Sequence, residues 1–110
     1  MAGKLNGKKV AILVSDGFEQ VEMTEPRQAL DEAGAQTVLI SPQDDRVKGW
    51  QHDHWGDEFT VELKLDRARA SDFDALLLPG GVMNPDHLRM NEKAVAFVRD
   101  FFQESKPVAA

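Results

Sequence analysis

Three short, unbroken apolar runs dominate the chain: KVAILV at residues 9–14, QTVLI at 36–40 and DALLL at 74–78. Runs this short, rich in branched side chains and lacking polar alternation, suit strands buried on both faces, as in a parallel sheet packed between helices. Parallel neighbours need a crossover of a dozen or more residues between them, usually a helix. Val21, Leu30 and Ala33 mark an apolar face ahead of Gly34, a good helix stop, and predict a helix from about Gln20 to Ala33. Pro26 lies inside it and predicts a kink or a late start, because proline removes a helical hydrogen bond. Pro79-Gly80-Gly81 ends the third run, and Ala94, Val95, Phe97, Val98, Phe101 and Phe102 recur at helical spacing between Asn91 and Gln103.

The stretch from Ser41 to Asp57 is polar and Gly-bearing, and EFTVEL at 58–63 alternates, predicting a half-exposed strand of a side hairpin. Lys106 to Ala110 begins another strand and carries no stop signal behind it. The alternation of strands and helices predicts an α/β fold: a doubly wound, flavodoxin-like parallel sheet with helices on both faces, truncated at its C-terminal side. Residues 1–110 read as one such unit, with no internal repeat or linker. Taken alone it would leave a sheet edge and an apolar face uncovered.

Charge and composition narrow the function classes. Thirteen basic against nineteen acidic residues leave a net charge of −6, which disfavours a phosphate backbone or an anionic membrane as the main partner. VAILV, the apolar run behind the basic start MAGKLNGKK, is too brief for a signal segment or a membrane span, so the cytoplasm is the expected location. There is no cysteine, hence no disulfide framework, no thiolate metal site and no cysteine nucleophile within these residues.

Three segments, taken in order, resemble the PfpI family of the class I glutamine-amidotransferase-like superfamily. VAILVSDGFEQVEMTEP at 10–26 resembles its first strand and acidic turn. FDALLLPGGVMNPDHLRMNEKAVAFVRDFF at 73–102 resembles its third strand, Gly-Gly turn and following helix, and SKPVAA at 105–110 the strand that enters a nucleophile elbow reading I-C-H-G. The resemblance implies a stress-related cysteine-dependent hydrolase, an intracellular protease or a protein or nucleotide deglycase concerned with methylglyoxal. Its cysteine and adjoining histidine would follow Ala110. The chain is then a fragment, a cleaved product or a sequence that stops early, and by itself inactive.

The resemblance also assigns roles. Glu19, in D-G-F-E after the first strand, corresponds to the acid that contacts the nucleophilic cysteine, where a protonated carboxyl can favour the thiolate. A solvated first-turn glutamate favoured by the helix dipole is the plainer account. Gly80 and Gly81 correspond to the turn whose backbone N–H groups form part of an oxyanion hole, and would otherwise be an ordinary strand-ending turn. Asp86 aligns with an acid, often Glu, that family members present to a neighbouring subunit's active site to orient the histidine. It would equally cap a short helix over 86–90.

The remaining candidates carry less. His52 and His54, between Trp50 and Trp55, have no spacing that fixes a metal geometry and read as a surface loop with aromatic packing. His87 reads as an exposed helix position, Asp66 to Arg69 as a solvated face, and Ser15 as a turn residue without a serine elbow around it. No cofactor and no metal are implied. Expected partners are a small carbonyl or peptide substrate and further copies of the chain, as a homodimer or higher. The alternative is a non-catalytic α/β binding or redox-sensing module. A flavodoxin would need a hydroxyl-rich phosphate loop where this chain has S-D-G-F-E, and a phospho-receiver an aspartate where Pro79 stands.

Overall fold

A computed structural model describes residues 5–51, 53–81 and 88–109. The three apolar runs form strands of one parallel sheet. β1 (Lys9–Leu13) lies at its centre, flanked by β3 (Gln36–Ser41) and β7 (Ala75–Leu77). β6 (Leu63–Lys64) joins the outer side of β3 and β8 (Val108–Ala109) that of β7, giving the order β6-β3-β1-β7-β8 with every pairing parallel.

Side chains alternate across this sheet and supply each face with its own core. Ala11, Leu13, Ile40 and Leu76 face one side, with Ala94, Phe97 and Phe101 of α2 (Glu92–Gln103). Ile12, Val14 and Leu39 face the other, with Met23 of α1 (Val21–Glu32) and with Phe18 and Val47. Each apolar run is therefore buried on both faces, as its lack of alternation predicts, and the helices cover opposite faces of a doubly wound α/β sheet. α1 continues unbroken through Pro26, whose absent N–H would have bonded Glu22 C=O. The helix ends at Gly34, with φ at 95°, where Gly34 N–H donates to Asp31 O and Ala35 N–H to Leu30 O.

The excursion between β3 and β7 is larger than its sequence suggests. β4 (Arg46–Gln51) and β5 (His54–Thr60) form an antiparallel hairpin, so the strand expected at 58–63 begins earlier and the polar stretch before it is itself a strand. Val47 and Phe59 supply its apolar anchorage, and the Phe59 ring lies 5.7 Å from that of Phe18. β2 (Phe18–Glu19) pairs with β4 in parallel and ties the hairpin to the loop after β1. The chain returns to the main sheet through Glu62, whose backbone N–H donates to Leu39 O and whose carboxylate accepts from Leu39 N–H at 2.8 Å. Arg27 of α1 closes this junction with an ion pair to Glu62 at 2.6 Å.

Candidate functional site

The connection from β1 runs through α1 to β3 on one side, whereas β7 lies on the other side of β1. The carboxyl ends of β1 and β7 therefore flank the switch point of the sheet, where loops diverge and doubly wound folds place their ligands. The two loops concerned are residues 14–20 and 78–81, the segments that carry the acidic turn and the glycine pair.

Elements on both sides hold the first loop. The Asp16 carboxylate accepts from Lys48 N–H at 2.8 Å and from Gln43 Nε2 at 3.1 Å, and Gly17 N–H donates to Lys48 O at 2.9 Å. These bonds fix the loop on the hairpin. On the side of β7, Glu19 N–H donates to Gly80 O at 2.8 Å, and Gly80 N–H donates to the Glu22 carboxylate at 2.9 Å. The two loops are thus joined by a reciprocal pair of hydrogen bonds, one between backbones and one from backbone to acid.

Gly81 allows this approach. Its φ is 124°, and a Cβ there would lie 2.8 Å from Glu19 N and 2.9 Å from Gly17 O, closer than real Cβ atoms come. A Cβ on Gly80 would overlap the Glu22 carboxylate. Gly81 is needed to bring the turn against residues 17–19, whereas a side chain at Gly80 would displace the Glu22 carboxylate from it.

The structure brings Glu19, Gly80 and Gly81 together, with Glu19 joined to the turn through its backbone. The acid whose side chain bonds the turn is Glu22, which the sequence reading passed over. Its position in the first turn of the helix after the central strand is the signal that could have found it, since a carboxylate there is favoured by the helix N-terminus and points toward the loops. Asp86, His87 and His52 lie outside the described residues. Ser15 is buried.

Two concavities open beside the junction. Glu19, Gln20, Val21 and Thr24 form one wall of a cleft of about 860 Å³ whose other wall is the hairpin tip, Gln51, Asp53 and His54. Leu78 to Gly80 open onto an apolar groove of about 740 Å³ along α2. At the hairpin tip, Trp50 and Trp55 are cross-strand partners packed edge to face at 5.1 Å, and His54 Nδ1 lies 2.7 Å from Asp53 Oδ1 with both side chains exposed. Among the described residues no group of acids and histidines could hold a metal ion, and no helix is long and apolar enough to cross a membrane.

A hydrogen bond and the charge of Lys93 hold the Asp66 carboxyl below its usual range, and a hydrogen bond and the charge of Asp44 raise Lys64.

The sequence profile of the DJ-1/PfpI family matches residues 8–110. General stress protein 18 of Bacillus subtilis (strain 168) is 42% identical over 105 residues, covering 94% of this chain and 59% of its own length. Protein/nucleic acid deglycase 2 of Escherichia coli (strain K12) is 39% identical over 104 residues, covering 94% of this chain and 58% of its own length. The chain thus spans less than two thirds of these relatives. The crystal structure of VC2308 protein superposes with a TM-score of 0.81 at 29% identity, over 92% of this chain and 50% of that one.

Proposed function

Because the chain belongs to the DJ-1/PfpI family, we propose that residues 1–110 supply the acid and the glycine turn of a thiol-dependent hydrolase whose cysteine and adjoining histidine follow this stretch. The observation that carries the reading is the junction at the switch point, where Glu19 N–H bonds Gly80 O and Gly80 N–H bonds the Glu22 carboxylate. A nucleophile delivered at the end of β8, which lies on the side of β7 away from β1, would meet the bare-backbone turn after β7 first, with the acids beyond it. An acid in that position can hydrogen-bond the sulfur and favour the thiolate, and turn amides can stabilise the oxyanion formed on attack, the Gly80 amide by exchanging the Glu22 carboxylate for it. Glu22 joins Glu19 as a candidate for the first role, because its carboxylate already lies at the turn.

The substrate class is a carbonyl compound: an early methylglyoxal adduct on a protein or nucleotide, or a peptide bond. The name of the Escherichia coli relative, which refers to deglycation of protein and nucleic acid, supports the former. The cytoplasm is the proposed location. Self-association, as a homodimer or higher, belongs to the same reading, with Asp86 presented to a neighbouring copy's site.

The test uses a polypeptide extended through the elbow, assayed on methylglyoxal adducts and on peptides beside its cysteine-to-serine variant. Equal rates for the two would end the hydrolase reading. If Glu22 contacts the sulfur, Glu22→Gln lowers the thiol-dependent rate by roughly 10²-fold or more, the scale of a positioned acid or base. Glu19→Gln in parallel assigns the role between the two acids.

A further inference from the structure

We infer that Gln20 is a positioning residue, which fastens the acid-bearing first turn of α1 to the β4–β5 hairpin and so aims Glu22 at the Gly80 turn. The inference rests on the reading of residues 19–22 and 80–81 given above, and concerns what holds them in register.

Gln20 stands between the two acids, at the position immediately before α1. Helices are commonly opened there by a short polar side chain that bonds back to the first-turn amides. Gln20 makes no such cap. Its side chain reaches the hairpin instead: Nε2–H donates to Asp57 Oδ2 at 2.8 Å, and Oε1 accepts from Asp57 N–H at 2.8 Å. Its backbone N–H donates to Trp50 O at 2.9 Å, and its carbonyl accepts from Thr24 N–H at 2.9 Å. One residue is thereby bonded to both strands of the hairpin and to the helix it precedes.

Both hairpin strands give up side chains to make room for it. A Cβ on Gly56 would overlap Gln20 Oε1, and one on Gly49 would lie 3.0 Å from Gln20 Cβ. Gly49 falls where the β4–β5 register shifts, between Lys48 and Trp50. The slot is therefore shaped by two glycines on neighbouring strands, and the Gln20 side chain fills it.

Residues 19–22 also reach the opposite way, through Glu19 N–H to Gly80 O and through the Glu22 carboxylate to Gly80 N–H. Four consecutive residues bridge the hairpin and the end of β7, and Gln20 holds the hairpin side of that bridge. Because its partner Asp57 is exposed, water can satisfy the groups left behind when Gln20 is removed, so the loss falls on alignment more than on folding. Alignment matters at such a site, where a displacement of about 1 Å can cost roughly 10²-fold in rate.

If Gln20 only holds the hairpin to the fold, its removal disturbs β4 and β5 and leaves Gly80 unchanged. A positioning role moves the Gly80 amide as well. The experiment is amide NMR on the 110-residue chain. The Gly80 amide proton is expected downfield, as a donor to a carboxylate, and Glu22→Gln marks where it lies without that charge. Gln20→Ala should move Gly80 toward the Glu22→Gln position while the amides of β1 and β3 hold. Gln20→Glu, which sets two carboxylates against each other across the slot, should do the same. Gln20→Glu combined with Asp57→Asn exchanges donor and acceptor across the same gap and should return Gly80 to its original shift.

An unmoved Gly80 amide in Gln20→Ala overturns the inference, as does a failure of the exchanged pair to restore it. Should Gln20→Ala not fold, Gln20→Asn, one methylene short of Asp57, provides the same comparison. The measurement reads Gly80 rather than turnover. A chain extended through its elbow but lacking thiol-dependent activity would therefore refute the hydrolase reading and leave this result standing.

Discussion

Gly81 brings together a backbone conformation and a contact that no other residue type satisfies. Its φ of 124° lies where L side chains are strained, and the space a Cβ would occupy is bounded by the backbone of Gly17, Phe18 and Glu19. Gly7 has φ at 82° with nothing within 4 Å of an added Cβ, so it isolates the conformational cost alone. Gly7→Ala should therefore destabilise by about 1 kcal/mol, and Gly81→Ala by roughly 2–3 kcal/mol or more, because backbone must also move. Urea denaturation midpoints of the two variants check this, and equal losses would mean that the loops part without cost. The glycine pair was legible in the sequence because its motif is local. The acid bonded to it was not: Glu19 and Glu22 are both glutamates in one short segment, and the choice between them depends on how α1 leaves the sheet. That direction is set by Gln20 together with Asp57 and two hairpin glycines, Gly49 and Gly56, which lie in a segment well separated in sequence.

At the scale of elements, α1 and α2 end in the same way with different residues. α1 ends through Gly34, and α2 through Ser105, whose φ is 58°. Ser105 N–H donates to Phe102 O and Lys106 N–H to Phe101 O, the pair of bonds that Gly34 and Ala35 make at the end of α1. A non-glycine residue in the left-handed region costs about 1–2 kcal/mol, partly offset by the greater chain entropy that glycine loses on folding. Ser105→Gly is accordingly expected to stabilise the chain by a few tenths to about 1 kcal/mol, read as a raised thermal midpoint with unchanged helix content. A lowered midpoint would show that the serine makes a contact worth more than the strain. The strands buried on both faces and the helix stop at Gly34 were legible because each is dictated by neighbours in sequence. Of the side hairpin that the alternation at 58–63 announces, β4 was not. β4 offers only Val47 and Trp50 among polar residues and glycines, and the register shift beside Gly49 breaks the alternation that identifies a strand. What stabilises β4 as a strand is its pairing with β5 and β2 and the burial of Val47 under the main sheet, all of them nonlocal.

For the whole molecule, the order β6-β3-β1-β7-β8 follows from buried strands joined by crossover helices, and it places the two loops of the site side by side. The same topology divides the apolar surface of α2. The sequence presents Ala94, Val95, Phe97, Val98, Phe101 and Phe102 as one helical face, too wide for a single sheet to cover. Ala94, Phe97 and Phe101 pack on the sheet, while Val95, Val98 and Phe102 form a second stripe that lines the groove with Leu78 and Leu88. Phe102 is 64% exposed and Val95 44%, and of the other Phe and Trp side chains only Trp55, at 45% on the hairpin, is exposed. Contiguous exposed apolar surface of this kind is where a folded chain binds hydrophobic probes or other apolar surfaces. The 110-residue chain should therefore enhance the fluorescence of an anionic hydrophobic dye while fully folded, with Arg89 and Arg99 on the groove wall favouring the dye's charge. Phe102→Gln should remove most of that enhancement. Its effect on stability should stay within about 0.5 kcal/mol, the range for an exposed side chain outside the core. Dye titration alongside urea denaturation separates the two quantities. Undiminished dye binding in Phe102→Gln would place the accessible apolar surface elsewhere, and a stability loss of several kcal/mol would mean that Phe102 packs in solution against something that its exposure does not reveal.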